Sequence, residues 1–349
     1  MKDTFKHWLH ALFRRMGYQL MRIRPEDRPL MLGYDPEPPL PHNAARELRP
    51  DNPRLRALES RYAGFESPVS IHTYWKGELQ SDETDLRYFR GETAYVWQYY
   101  SEGSFVKPFQ LLRLQYYPYV QYIRALDHRQ LLGPILNEDG AFGCHRFTYP
   151  GLDAAVSRDL LDAINEIYFL DRHWQLFERT EVRILDLGAG YGRLAHRMLS
   201  AVPNIAHYAC TDAVPRSTFL CEYYLRERGL LDDVGGKASV IPLDETPQRP
   251  ARGEIDLAIN IHSFSEMCLA AVQTWAEWLA GLGIRHLFVV PNEEAMLTRE
   301  VNGDRLEYLP ALNSAGYKVI AKQPTITDPM VRELFGVKDF FLLMELQAS

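Results

Sequence analysis

The run from Arg183 through Asp186, Leu187, Gly188, Ala189, Gly190, Tyr191 and Gly192 to Arg193 and Leu194 constrains this chain more than any other stretch. Val182 to Leu187 reads as an apolar strand, glycine then stands at every second position, and helical spacing resumes from Leu194 to Leu199. Glycine accepts left-handed backbone and admits a ligand close to the main chain, so strand, turn and helix in this order cradle a nucleotide-like cofactor. A dinucleotide fingerprint would need its third glycine at 193, where Arg193 stands, which disfavours a hydride-transferring dehydrogenase.

The downstream pattern repeats the unit. His207 to Thr211 reads as a second strand ending at Asp212, twenty residues past Gly192, where a carboxylate can accept from both hydroxyls of a ribose. Ala213 and Val214 then fall against an adenine face. Ala238 to Pro242 is a third strand, followed by Asp244, which is placed to meet the adenine amino group. Ile255 to Ile261, nearly continuously apolar apart from Asp256 and Asn260, is a strand buried on both faces. His286 to Val290, Tyr317 to Ala321 and Phe340 to Leu346 complete seven strands, separated by helical stretches such as Ser217 to Arg228 and Leu269 to Leu282. The expectation is a doubly wound α/β domain over 151–349.

Composition narrows the class. A net charge of −7 and a pI of about 5.9, without arginine runs, argue against nucleic acid as the main partner. Cys144, Cys210, Cys221 and Cys268 form no C-x-x-C pair, so buried reduced thiols are expected and no metal site. With no run of eighteen apolar residues and no cleavable signal, a soluble cytoplasmic protein is the expectation.

Upstream of the α/β domain three segments differ in character. In residues 1–24, Phe5, Trp8, Leu9, Leu12, Phe13, Met16, Leu20 and Ile23 form an apolar stripe, with Lys2, Lys6, Arg14, Arg15, Arg22 and Arg24 against the single Asp3. Such a basic amphipathic helix either lies on an anionic membrane surface or docks on the protein's own body or on a second subunit of a homodimer. Eight prolines between Pro25 and Pro53 predict an extended strap over 25–53. Residues 54–150 form a mainly helical cap rich in aromatics: Tyr88, Phe89, Tyr95, Trp97, Tyr99, Tyr100, Phe105, Phe109, Tyr116, Tyr117, Tyr119 and Tyr122. These rings suit the C–H faces of a carbohydrate or, equally, the packing of a cap onto the sheet.

An acidic residue followed by G-x-G-x-G, as in Asp186 to Gly192, resembles motif I of class I S-adenosylmethionine (SAM) methyltransferases. Three segments sharpen the likeness: the helix Val156 to Leu170, with Ser157 as N-cap and Asp159 in its first turn; the turn Asn260 to Met267; and Val289 to Glu293 after the fifth strand. Together they resemble the sugar O-methyltransferase family of bacterial polysaccharide gene clusters, over about residues 140–349. The resemblance implies a Rossmann-like methyltransferase sheet and SAM as cofactor, with Asp186, Gly188, Ala189, Gly190, Tyr191, Gly192, Asp212, Ala213, Asp244 and Asn260 on the cofactor. It also implies methylation of a sugar hydroxyl in a nucleotide- or lipid-linked glycan intermediate. In this chain the proline that often follows the second-strand aspartate closely comes only at Pro215.

Methyl transfer to a hydroxyl needs alignment and a base. His262, just past the fourth strand, lies where an acceptor would enter, and an ordinary pKa near 6.5 suits it to accept a proton; Glu266 is its competitor, and a structural histidine closing the strand end is the alternative. Arg158 and His145, entering from the cap side, and Asn292 and Glu293 after the fifth strand are expected to anchor substrate hydroxyls. The rival functions are a methyltransferase for a small secondary metabolite and a non-catalytic scaffold of the same fold.

Overall fold

Strand β1, Val182–Leu187, buries every residue but Arg183. In the computed structural model this strand is the centre of a seven-stranded sheet. The structure describes residues 39–71, 73, 85–90 and 109–347, side chains of 109–115 excepted, and positions 9, 12, 13, 15 and 16. The basic stripe of 1–24 therefore lies almost wholly outside the described residues, as do 25–38 of the strap and Tyr95, Trp97, Tyr99, Tyr100 and Phe105 of the cap.

The other strands are β2 Ile205–Thr211, β3 Ala238–Val240, β4 Leu257–Ile261, β5 His286–Val290, β6 Tyr317–Pro324 and β7 Phe340–Leu346. Their order is β3-β2-β1-β4-β5-β7-β6, parallel except for β7, which runs antiparallel to both β5 and β6. This is the Rossmann-like, doubly wound α/β fold that the strand pattern predicts. The order reverses between β1 and β4, and ligands of open α/β sheets bind in the crevice beyond the strand ends at such a switch point. Four boundaries differ from the sequence reading: β2 begins at Ile205 and not His207, β3 ends at Val240 and not Pro242, β4 begins at Leu257 and not Ile255, and β6 runs on to Pro324, past a register shift between Val319 and Ala321.

Helices close both faces. α1 is Pro53–Ala63, α2 Phe109–Leu126, α3 Arg158–Trp174, α4 Arg193–Ala201, α5 Pro215–Glu227, α6 Leu269–Gly281, α7 Leu309–Ser314 and α8 Pro329–Phe335. Ser157 caps α3 by accepting from the Leu160 amide at 3.0 Å, and Pro215 opens α5 at a position whose amide would have no helical partner. The strap is less extended than its prolines suggest. Between Pro41 and Pro50 one helical turn, Ala44–Glu47, forms, and Pro53 starts α1 behind an Asn52 cap, because proline is tolerated in a first turn.

The cap is fixed to the sheet domain by buried polar contacts as well as by packing. α1 buries Leu55, Leu58 and Tyr62 on one stripe; the Tyr62 hydroxyl sits 2.9 Å from Thr218 Oγ1 on α5 and accepts from the Leu243 amide at 2.8 Å. Arg90 is fully buried and donates to Glu138 and Asp159, while Arg197 on α4 donates to the same Glu138 at 2.7 Å. Breaking such a buried network by removing one charge costs about 3–5 kcal/mol. Of the described cap aromatics, Phe89, Tyr116 and Tyr119 are buried in the core, and none lines the large cavity below. All four cysteines are buried and free. Among the described residues no helix is long and apolar enough to cross a membrane.

Candidate active site

A cavity of about 200 Å³ opens at the carboxyl ends of β1, β2 and β4. One ordered water needs roughly 10–15 Å³ on the same measure, so this space admits an organic ligand. The glycine turn forms its floor. Gly188, Gly190 and Gly192 have φ of 74°, 58° and 84°. A Cβ on Gly188 would sit 2.2 Å from Ser263 Oγ and 2.5 Å from Ser263 Cβ, whereas one on Gly190 would meet nothing within 4 Å, which leaves that position open to a ligand. Gly192 ends the turn as the N-cap of α4, packed against Cys221 and Leu225.

Carboxylates dominate the lining. Asp212 accepts from the Gly190 amide at 2.9 Å and the Val214 amide at 2.8 Å, one on each oxygen, which leaves each oxygen a further lone pair. Burial raises its pKa to about 6, partly offset by those two backbone donors. Asp186, at the end of β1, accepts from the buried Tyr208 hydroxyl at 2.9 Å, and burial raises it to about 7. Glu166 on α3 is also raised to about 7 by burial, against the pull of Arg193, which grips it at 2.8 and 2.9 Å. Asp159, Asp162 and Glu266 add three more acids against the two cations, Arg158 and Arg193. Such a surface favours ligands that bring positive charge and hydroxyl donors.

The cavity brings Asp186, Gly188, Ala189, Gly190, Tyr191, Asp212, Ala213, Arg158, His262 and Glu266 together. The Tyr191 ring is packed against Phe89 and Tyr224, and its hydroxyl donates to Asp159. Arg158 donates to Asp162 at 3.1 Å. Asn260 is buried under the floor: its amide donates to Leu187 O and Ser263 Oγ while its oxygen accepts from Phe264 N, so it ties the ends of β1 and β4 together.

Besides Gly192 and Asn260, four further expected residues do not line the cavity. Asp244 does not line the cavity, because Arg61 from α1 takes both its oxygens at 2.8 and 2.9 Å. His145 is buried away from the cavity, and burial depresses its pKa well below the ordinary value. Asn292 donates its amide to Ser265 Oγ, and Glu293 pairs with Arg305; neither reaches the cavity. Conversely, the sequence reading missed Glu166, Asp162 and Ser263 on the lining, and Val69, Ile71 and Thr73, which reach it from the cap.

His262 keeps its place at the end of β4 but not its ordinary acidity. Its backbone has φ of 65°, and its N–H donates to Val290 O at 2.7 Å. Burial, reinforced by Arg158 and Arg193, lowers its pKa to about 3, so the imidazole is neutral across the physiological range. Its Nε2 lies 3.5 Å from Asp339 Oδ2. Glu138, Cys144 and Asp159 offer ligand atoms close enough together for a metal, but Arg90 and Arg197 already supply the positive charge there.

No family model matches the chain, and no curated protein matches it. Among solved structures it is similar to the cyclase SpnF, with 15% identity over 69% of this chain and 96% of that one at a TM-score of 0.41. It is also similar to magnesium protoporphyrin IX methyltransferase from Synechocystis, with 12% identity over 70% of this chain and 100% of that one at 0.39. A SAM-dependent methyltransferase from Clostridium acetobutylicum gives 11% identity over 53% of this chain and 91% of that one at 0.38.

Proposed function

We propose that the protein is a SAM-dependent O-methyltransferase whose acceptor is a sugar hydroxyl, in a nucleotide- or lipid-linked glycan intermediate of polysaccharide synthesis. The observation that carries the cofactor reading is the acidic cavity over the glycine turn: half-buried Asp212 faces the open turn at Gly190, and buried Asp186 lies beneath it. This donor set fits the group, since ribose hydroxyls would donate to Asp212 and an ammonium or sulfonium would be held by the carboxylates. SAM would supply a methyl group on a sulfonium that gives up its positive charge as the group leaves. The chain's own part is to align the acceptor and remove its proton. His262, neutral and on the cavity wall, is the residue proposed to take that proton, and Glu266 and Arg158 are proposed to hold neighbouring hydroxyls.

The sugar acceptor rests on the resemblance of the 156–170, 260–267 and 289–293 segments, supported by an acidic lining that suits a hydroxyl-rich, uncharged group. Incubating the full chain with methyl-labelled SAM and a panel of nucleotide sugars, lipid-linked glycans and small phenolic or amine acceptors tests it by mass spectrometry. Transfer confined to glycans supports the reading; transfer confined to the small metabolites replaces it. We further propose that residues 1–24 bring the cytoplasmic enzyme to the inner, anionic membrane face, each basic residue contributing about 1 kcal/mol. Flotation with anionic liposomes at low salt should require those residues; if truncation instead splits a dimer, the stripe is a subunit contact.

A further inference from the structure

A second, smaller cavity of about 30 Å³ lies behind His262 and shares Arg158, Asp162, Glu166 and His262 with the large one. His262 thus stands in the wall between two spaces. Asp339, the residue immediately before β7, also lines the small chamber. Antiparallel insertion of β7 beside β5, with Leu342 opposite Val289, starts β7 at the carboxyl edge of the sheet and so delivers Asp339 to the crevice. Its backbone carbonyl is pinned there, accepting from the Thr325 amide at 3.1 Å and the Thr325 hydroxyl at 3.2 Å.

The structure assigns Asp339 as the positioning residue for His262: its carboxylate accepts from Nε2–H, fixes that tautomer and offsets the charge the ring acquires when it takes the acceptor's proton. This rests on the proposed role of His262 as base. A neutral imidazole carries one N–H, and a carboxylate facing Nε2 favours the tautomer with the proton on that nitrogen, so that Nδ1 holds the lone pair. In the transfer the acceptor O–H proton goes to Nδ1, the oxygen pair forms the O–CH₃ bond, and the S–C bond breaks with its pair left on sulfur. The contact is long at 3.5 Å, as catalytic hydrogen bonds often are before substrate binds. Burial, Arg158 and Arg193 all oppose protonation of His262, and Asp339 is the facing anion that would offset them.

Asp339 titrates in a crowded setting. It faces His262 from the end of β4, Arg158, Asp162 and Glu166 from α3, and Tyr119 from α2. Burial lifts its pKa to about 7, Arg158 opposing and Asp162 adding to the rise, so its charged form grows as pH passes through 7. Stabilisation by Asp339 of the imidazolium formed in the transfer should therefore be greatest on the alkaline side of that value.

Long-range ¹H–¹⁵N NMR of the full chain, with the His262 signals assigned by their loss in His262→Gln, tests the assignment without an acceptor. In wild type His262 should show the neutral Nε2–H pattern, with its shifts moving between pH 6 and 8 as Asp339 ionises. Asp339→Asn should keep the tautomer, since an amide oxygen still accepts, but diminish the pH response to the part left by Glu166, which is also raised to about 7. Asp339→Ala should give a mixture of tautomers, with S-adenosylhomocysteine affinity within about threefold of wild type. Identical His262 spectra in wild type and both variants would overturn the role of Asp339. The base reading fails separately, if His262→Gln retains methyl transfer.

Discussion

Replacing Gly188 with alanine probes the floor of the site with one methyl group. The added Cβ would lie 2.2 Å from Ser263 Oγ and 2.5 Å from Ser263 Cβ, and Cβ cannot rotate away as a side-chain tip can. Ser263 is also anchored, donating to Leu187 O at 3.2 Å and accepting from Asn260 at 2.5 Å. Overpacking of this kind costs about 1–3 kcal/mol, and an alanine held at φ 74° adds about 1–2 kcal/mol. Gly188→Ala should therefore lose about 2–5 kcal/mol, read from the urea midpoint at constant m. The double variant Gly188→Ala/Ser263→Gly removes the clash but not the backbone cost. Measured against Ser263→Gly alone, the alanine should then cost only about 1–2 kcal/mol. An alanine penalty equally large with and without the Ser263 side chain would refute the reasoning, because the close approach would then not be its source.

Three further outcomes follow from the same geometry. His262→Gln should lower turnover about 10²- to 10⁴-fold while S-adenosylhomocysteine affinity, followed by calorimetry, stays near wild type; a variant keeping a third of the rate moves the base elsewhere. Because burial raises Asp212 to about 6 and Asp186 to about 7, a ligand that prefers their charged forms must expel protons. Affinity for SAM should thus rise from pH 5.5 to 7.5 and level off above, with a binding heat that depends on buffer ionisation; a flat profile in all buffers would contradict the assignment. Tyr62→Phe leaves the buried Leu243 amide without its 2.8 Å acceptor and should cost about 1–3 kcal/mol in urea unfolding, whereas an unchanged midpoint would mean that α1 does not depend on this contact.

Much of this fold is legible in the chain because local chemistry decides it. β1 is read to the residue, since its apolar run is bounded by the glycine turn, and Ser157 announces α3 through a cap that needs only its own neighbours. β6 extends further than expected because Lys322, Gln323 and Pro324 pair with Leu342, Phe341 and Phe340 along an antiparallel edge that composition does not mark. The site divides in the same way. Asp186, Asp212 and the glycines follow from spacing within one βαβ unit. Asp244, expected near the adenine, is held by Arg61, which is remote in sequence. Asp339 was invisible because only the antiparallel return of β7 brings it to His262, and the lowered pKa of His262 arises from burial that no sequence window shows.

The central claim is that the cavity over the glycine turn is a SAM site with Asp212 on the ribose. Calorimetric titration of S-adenosylhomocysteine into the full chain and into Asp212→Ala tests it most directly. Hydrogen bonds to a charged group are worth about 1.5–3 kcal/mol, so the account predicts one site in wild type and binding about ten- to a hundred-fold weaker in the variant. Equal affinity in both proteins would move the ribose away from Asp212, and wild-type protein that binds NAD but not S-adenosylhomocysteine would contradict the account outright.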